Sequence, residues 1–394
     1  MSNSGSNLDR LRRNNLATVL RIVHRSRAAS RAQITAATGL YRSTVAALVA
    51  ELAALGLVVE GEPEATNRVG RPSPRVHPHP GVVALAVNPE LDAVTIGVVG
   101  LGALVEHRVR HPVSSAVTPE DTVEIVRDVV QDLRGGPLAD RRIAGIGAAV
   151  PGLVRAGDGL VRLAPHLGWT DAPIAQMLGD ALGVPAMAEN DASLGALAEH
   201  LFGVGRDVDD LVYLNGGASG IGGGVIAGGR PLRGVGGYAG EFGHNRPGVP
   251  DSAHRVSLTG SLEDEVSRAR LLAVAGLEAA DEPTLERALL ESRDESVVAE
   301  ELDRQRRILS TALSNAANVL NPSLIVLGGF LATLLASDPE KLAELVAEQT
   351  LPPTAEQLQL RAAELAEDRL LIGAAELVFA PLLGDPVLAS RLAP

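Results

Sequence analysis

The chain has 394 residues, 46% of them hydrophobic and 21% charged, enough for two or three domains with a sizeable buried core. It has no cysteine and one lysine, Lys341, which excludes disulfides, thiolate nucleophiles, cysteine-held metal sites, Gly-Lys-Ser/Thr phosphate loops and Lys–Glu kinase pairs. The longest strongly apolar uncharged run, Leu324 to Ala336, is too short to span a bilayer, and Met1 to Asn7 lacks the apolar core of a secretory signal, so a cytoplasmic protein with no membrane partner is expected.

The net charge of −13 is unevenly spread: residues 1–80 carry 11 arginines against five acids, a net of +6, and the remainder carries −19. In the basic head, Leu16, Val19, Leu20 and Val23 follow helical spacing and predict a first helix over about residues 8–25. Ser30 and Gln33 form a capping-box pattern that opens a short second helix ended by Gly39. Arg42, Ser43 and Thr44 open a third helix with Val45, Leu48, Val49 and Leu52 on one face, closed by Gly56. Strands Leu57 to Glu60 and Arg75 to His77, joined through Asn67 and Gly70-Arg71-Pro72, predict a wing.

Two helices joined by a glycine turn make a helix-turn-helix, with Arg42, Ser43 and Thr44 where base edges are read and Arg71 placed to enter a minor groove. The alternative is a three-helix protein-interaction module. Tyr41, in the turn, is expected to pack rather than to touch a phosphate. Pro78-His79-Pro80 reads as a short stiff linker.

From residue 81 apolar strands alternate with helices, the pattern of an α/β body. Strands are expected at Val82–Val87, Val94–Val99, Ile143–Val150, Leu211–Leu214 and Leu324–Leu327, and helices near 118–134, 192–203, 262–276, 297–320 and 361–382. Four clusters carry site chemistry. Glu189-Asn190-Asp191 stands at a strand end, and Ala239-Gly240-Glu241-Phe242-Gly243-His244 brings a carboxylate to an imidazole. Gly216 to Gly224 reads as a loop able to bring N–H groups to an anion, and Leu327-Gly328-Gly329 permits close approach. Taken singly, the first is an ordinary capped helix start and the glycine run a set of turns. Their order within one body argues for more.

This combination resembles the ROK (repressor, open reading frame, kinase) family from about Arg12 to the end of the chain. Ser30-Arg31-Ala32 through Gly39-Leu40, Thr44-Val45 and Gly70-Arg71-Pro72 resemble the DNA-binding head of its regulators. Val150-Pro151-Gly152, Leu167-Gly168-Trp169, Glu189 to Ala192, Gly220 to Gly224, Ala239 to His244 and Gly260-Ser261-Leu262-Glu263 resemble successive body motifs. The resemblance implies a winged helix-turn-helix over 1–80 and an actin/hexokinase-like α/β body with two ribonuclease-H-like lobes around a cleft. The smaller lobe would take 81–190 plus about 370–394, and the larger 191–369.

Carried over, Asn190, Asp191, Glu241, His244 and Glu263 would hold sugar hydroxyls, Arg31, Arg42, Ser43, Thr44 and Arg71 would meet DNA, and Gly220, Gly222 and Gly223 would be the remnant of a phosphate loop. Where family kinases have an Asp-x-Gly-x-Thr turn for phosphate and magnesium, this chain has Asn88-Pro89-Glu90-Leu91-Asp92, so ATP and magnesium are not expected. The family's zinc segment corresponds to His254 through Glu263, where all three cysteines are gone; zinc is not expected, and His244 has no thiolate partners. His166 stands where relatives have Asn.

The resemblance therefore implies a sugar-responsive repressor, a homodimer or tetramer on two-fold operator DNA, whose lobes close on sugar and respace the paired heads. Two alternatives remain: an ATP-dependent sugar kinase with Asp191 as base, and a regulator that has lost sugar binding.

Overall fold

In the computed structural model, which describes residues 3–61, 74–248, 256–257 and 260–392, the apolar face of the first helix is fully buried at Leu16, Val19, Leu20 and Val23. That helix, α1 (Asn3–Ser26), begins before the expected residue 8. The head continues with β1 (Ala29–Ser30), α2 (Arg31–Thr38), α3 (Arg42–Ala54), β2 (Val58–Glu60) and β3 (Arg75–Pro78), and β3 pairs antiparallel with both β1 and β2. The tip of the expected wing, with Arg71, lies outside the described residues.

The body runs through β4 (Val82–Pro89), β5 (Ala93–Gly100), β6 (Leu104–Pro112), α4 (Pro119–Arg134), β7 (Arg142–Val150), β8 (Leu153–Val154), β9 (Val161–Ala164), β10 (Trp169–Ala172), α5 (Ile174–Leu182), β11 (Ala186–Asn190) and α6 (Asp191–Phe202). Then come β12 (Leu211–Gly217), β13 (Gly220–Ala227), β14 (Arg230–Pro231), α7 (Leu262–Glu265), α8 (Arg268–Val274), α9 (Glu282–Glu291), α10 (Ser296–Leu320) and β15 (Leu324–Gly329). The chain closes with α11 (Phe330–Ser337), α12 (Pro339–Gln349), α13 (Pro352–Ala355), β16 (Gln359–Ala362) and α14 (Arg369–Gly384).

Backbone proximity divides the chain into two units. The first comprises residues 1–152, 158–189 and 371–394, and the second 153–157 and 190–370. The first holds a mixed sheet in the order β11-β7-β4-β5-β6, with β4 parallel to β7 and antiparallel to β5. The head belongs to this unit, and the short connection expected at residues 78–80 is bonded, with Pro78 taken into the head's last strand. Pro78 ends β3, His79 N–H donates to Leu57 O at 2.9 Å, Gly81 N–H donates to His79 Nδ1 at 2.9 Å, and Arg142 of β7 donates to the carbonyls of Leu55 and Gly56. His24 of α1 is buried against Glu376 of α14.

The second unit holds a sheet in the order β14-β13-β12-β15-β16. Against it α10 buries Leu302, Leu309, Leu313 and Ala316 in one core with Ile325, Leu327 and Leu331. Two expected helices are corrected here. Residues 262–276 form α7 and α8, broken where Ser267 N–H donates to Gln305 Oε1 while Gln305 Nε2 donates to Ser267 O, each at 3.1 Å. The start of the expected helix 361–382 belongs instead to β16, because Gln359–Ala362 extends the sheet in parallel register with Leu324–Leu327; the helix begins at Arg369. Among the described residues no helix is long and apolar enough to cross a membrane.

Candidate functional site

The head presents its helix start as the sequence pattern requires. Ser30 accepts from Gln33 N–H at 3.2 Å while Gln33 Oε1 accepts from Ser30 N–H at 2.8 Å, and Gly39 ends α2 at φ +68°, a left-handed conformation that favours glycine. Tyr41 is the N-cap of α3 and is 84% exposed, which corrects the expectation that it packs: its extended backbone turns the ring outward. Arg42 and Ser43 are exposed and Thr44 is half-buried on the first turn of α3. Arg31, at the start of α2, forms an ion pair with Glu60 of β2. That pair ties the short helix to the wing strand.

In the second unit, Asn190 caps α6: its Oδ1 accepts from Ser193 N–H at 2.9 Å, so its Nδ2 is left to donate to Asp191 Oδ1 at 3.2 Å. The same Asp191 oxygen accepts from Ala192 N–H at 2.8 Å. Behind it Tyr213 is fully buried on β12, its hydroxyl donating to Asn215 Oδ1 at 3.2 Å. Burial, reinforced by the negative charges of Glu199 and Asp191 and opposed by Arg369, leaves the phenol pushed up to about 12. Sequence reasoning passed over Tyr213, which reads as one more apolar strand residue.

Glu241 precedes and His244 ends a single 3-10 turn, Phe242–His244, in which Phe242 and Gly243 are buried and His244 is exposed. His244 Nδ1 lies 3.4 Å from Glu263 Oε1 on α7, and Glu263 Oε2 accepts from Ile221 N–H at 3.4 Å. Burial raises the Glu241 carboxyl above its ordinary value, and the charge of Glu263 adds to this against the pull of His244. Three of the five expected sugar ligands, Glu241, His244 and Glu263, thus form one electrostatic cluster. Asn190 and Asp191 form a second, joined to the first through β13.

That strand corrects the loop reading of the glycine run. Residues 211–217 and 220–227 form a hairpin, with Leu211 opposite Ile226 and Gly217 opposite Gly220, so Ala218 and Ser219 alone make the turn. Gly220, Gly222 and Gly223 are ladder residues, and their missing side chains serve packing. A Cβ on Gly222 would stand 2.7 Å from Ala192 Cβ, one on Gly224 2.6 Å from Ala196 Cβ, and one on Gly220 2.5 Å from Glu263 Oε2. A Cβ on Gly223 would strike the Phe242 ring and lie 2.8 Å from Gly240 O. Gly328 serves the same end, since a Cβ there would lie 2.8 Å from the Tyr213 hydroxyl.

In the first unit, β4 ends at Pro89, and the hairpin to β5 closes with Glu90 N–H donating to Ala93 O at 2.8 Å; Asn88 is buried beside it. His166 is exposed in the turn between β9 and β10. His254 lies outside the described residues, and among the described residues no three His, Asp or Glu side chains gather as metal ligands would.

The ROK family model matches residues 92–380 of this chain. The chain belongs to the ROK family. A putative xylose repressor from Caldicellulosiruptor sp. (strain Rt8B.4) is 26% identical over 393 residues, covering 94% of this chain and 97% of that protein. A glucokinase from Halalkalibacterium halodurans is 29% identical over 276 residues, covering 65% of this chain and 82% of the kinase. Among solved structures, a ROK family transcriptional regulator described as a homologue of the E. coli MLC protein superposes with a TM-score of 0.74 at 22% identity, covering 96% of this chain and 98% of the other. The body therefore has the actin-like fold of ROK sugar kinases, with mixed sheets and helices.

Proposed function

We propose that this ROK protein is a sugar-responsive, DNA-binding transcriptional regulator that represses until its effector binds. The observation that carries the reading is the recognition-helix start, with Arg42 and Ser43 exposed on the first turn of α3 just after the glycine-ended helix α2, on the same chain as the cluster Glu241, His244 and Glu263. Repressor relatives that align over head and body together support it. Arg42, Ser43 and Thr44 read base edges, Arg31 and Arg71 contribute charge, and Asn190, Asp191, Glu241, His244 and Glu263 hold sugar hydroxyls.

Acceptors of this kind suit a polyol. Carboxylates accept from hydroxyls, the Asn190 amide donates to or accepts from them, and His244 does either according to its tautomer. The sugar weakens DNA binding only by its preference for the DNA-incompetent state, so a tens-fold release requires about 2 kcal/mol of differential affinity. Operators with two-fold symmetry imply a homodimer or a tetramer.

We further propose that the body binds without turnover. The turn from Asn88 to Asp92 has a buried amide at Asn88, and Glu90 and Asp92 in place of the glycine and hydroxyl that phosphoryl transfer in family kinases uses there, which argues against a magnesium and phosphate site of that kind. The kinase alternative keeps Asp191 as general base and draws support from the glucokinase relatives.

One experiment separates these readings. The purified protein is titrated, at fixed salt, with DNA from upstream of its own and neighbouring genes, with and without D-xylose, D-glucose, N-acetylmannosamine and their phosphates, and ADP formation is followed in parallel. Sequence-specific binding released by one sugar, with no sugar-dependent ADP, is the expected result. Turnover at ordinary enzymatic rates overturns the claim of lost catalysis, and binding no tighter than to random DNA overturns the regulator.

A further inference from the structure

The segment where family relatives hold zinc has no thiolate here, yet its backbone is anchored at Val256 and Ser257. Glu265, the last residue of α7, is 0% exposed, and its carboxylate accepts from Val256 N–H at 3.2 and 3.1 Å and from Ser257 N–H at 3.1 Å. The Arg304 guanidinium of α10 binds the same carboxylate and also donates to the Glu265 carbonyl at 2.9 Å. Arg304 reaches Glu301 at 3.4 Å, and Glu301 in turn takes both donors of Arg270 at 2.8 Å and Gln305 Nε2 at 2.8 Å. Burial pushes the Glu301 carboxyl up, but these donors outweigh it and hold the group below its usual value.

Next to Glu265, Asp264 Oδ2 accepts from Ser257 Oγ at 3.1 Å and from Ser261 Oγ at 2.6 Å, and Leu262 N–H donates to Asn245 O at 2.7 Å. Residues 245, 256–257 and 261–262 are thus drawn around the start of α7. That helix carries Glu263, and Glu263 meets His244.

We propose that Glu265 and Arg304 form a metal-free clamp that positions Glu263 and His244, with a buried guanidinium–carboxylate pair doing the work of a zinc ion. A zinc site joins distant segments by neutralising several anionic ligands at one point. Here Arg304 neutralises Glu265, and the carboxylate's remaining lone pairs accept backbone N–H groups directly. Each charge is paired and hydrogen-bonded, which makes its burial tolerable. Glu265 and Arg304 touch no sugar in this scheme. They are positioning residues, and the proposal rests on the assignment of Glu263 and His244 to the effector site.

The test uses the full-length protein. Wild type is incubated with zinc chloride, dialysed and assayed for metal by atomic spectroscopy, and its hydrogen exchange is followed with and without EDTA. Zinc far below one per chain and exchange unaffected by EDTA are expected. Glu265→Gln loses charge-assisted bonds, so peptides covering 256–265 exchange about 10- to 100-fold faster, and the concentrations of D-xylose or D-glucose needed to release operator DNA rise about tenfold. Operator affinity without sugar stays at the wild-type value. Arg304→Lys keeps the charge but loses the fork, giving intermediate exchange and response, and it decides the matter if Glu265→Gln does not fold.

Stoichiometric zinc whose removal speeds exchange at 256–265 overturns the proposal. So does wild-type exchange in both variants, or faster exchange with an unchanged sugar response. If no sugar of the panel used above releases DNA from the wild type, the effector assignment fails, and the metal and exchange measurements still decide the clamp.

Discussion

Replacing His24 with alanine tests how the DNA-binding head is held to the body. His24 on α1 and Glu376 on α14 are 1% and 3% exposed, and His24 Nε2 stands 3.0 Å from both carboxylate oxygens. Nδ1 accepts the Gly102 N–H at 2.9 Å, so the ring proton sits on Nε2 and is donated to Glu376. The Phe379 ring closes the site edge-on at 6.0 Å. His24→Ala removes the donor and the Gly102 acceptor together and leaves a buried carboxylate, a loss of about 3–5 kcal/mol. Glu376→Gln keeps an acceptor for Nε2 and exchanges a charge-assisted bond for a neutral one, a loss of about 1–2 kcal/mol.

A chain with two units need not unfold in one step, so the suitable quantity is a local opening free energy from hydrogen exchange at α1 and α14. Protection there falls about 100- to 5,000-fold in His24→Ala and roughly tenfold in Glu376→Gln, while α10 in the other unit keeps its protection. Exchange within about threefold of wild type in His24→Ala, or equal damage from the two variants, refutes the reasoning.

Three other outcomes are expected. Arg42→Ala lowers operator affinity by about 1–3 kcal/mol and relaxes preference at one base pair in a fluorescence-anisotropy series; equal loss on all sequences would make Arg42 a phosphate contact. Glu241 has a raised carboxyl in the folded state, so its contribution is present at acid pH and lost as pH rises through the folded value. Glu241→Gln stays neutral, and its melting temperature therefore meets or exceeds that of wild type at neutral pH, with the gap closing on acidification, while sugar no longer releases DNA. Gly223→Ala drives a methyl group into Phe242 and toward Gly240 O, displacing the turn that carries Glu241 and His244; its sugar response is lost with operator binding retained, and an unchanged response would place the effector elsewhere.

Local features were legible in the sequence because their causes are local. The capping box of Ser30 and Gln33, the left-handed Gly39 and the apolar face of α1 depend on residues within a few positions of one another. The central strands at Val82, Ile143, Leu211 and Leu324 were legible for the same reason. Gln359–Ala362 was not, since only pairing with Leu324–Leu327 makes it a strand. The glycines of β13 read as a loop because the bodies that exclude their side chains, Ala192, Ala196 and Phe242, lie elsewhere in the chain. His24 and Glu376, 352 residues apart, and Glu265 and Arg304, 39 apart, gave no signal at any short spacing. Tyr41 misled because an aromatic beside a helix usually packs, whereas its cap geometry faces it outward.

The hairpin strand from Gly220 to Gly224 has a bearing on how this protein can change. It is a spacer one backbone thick, with α6 against one side and the Phe242 turn against the other, and any added carbon atom at Gly222, Gly223 or Gly224 widens the gap. Selection for a different effector has almost no freedom along the strand itself, where nearly every substitution is a wedge. Variation in preference must instead enter at positions such as the half-exposed Glu241 or the exposed His244, whose side chains cap no helix. A library built to redirect this regulator should hold residues 220–224 fixed and spend its diversity on those flanking positions.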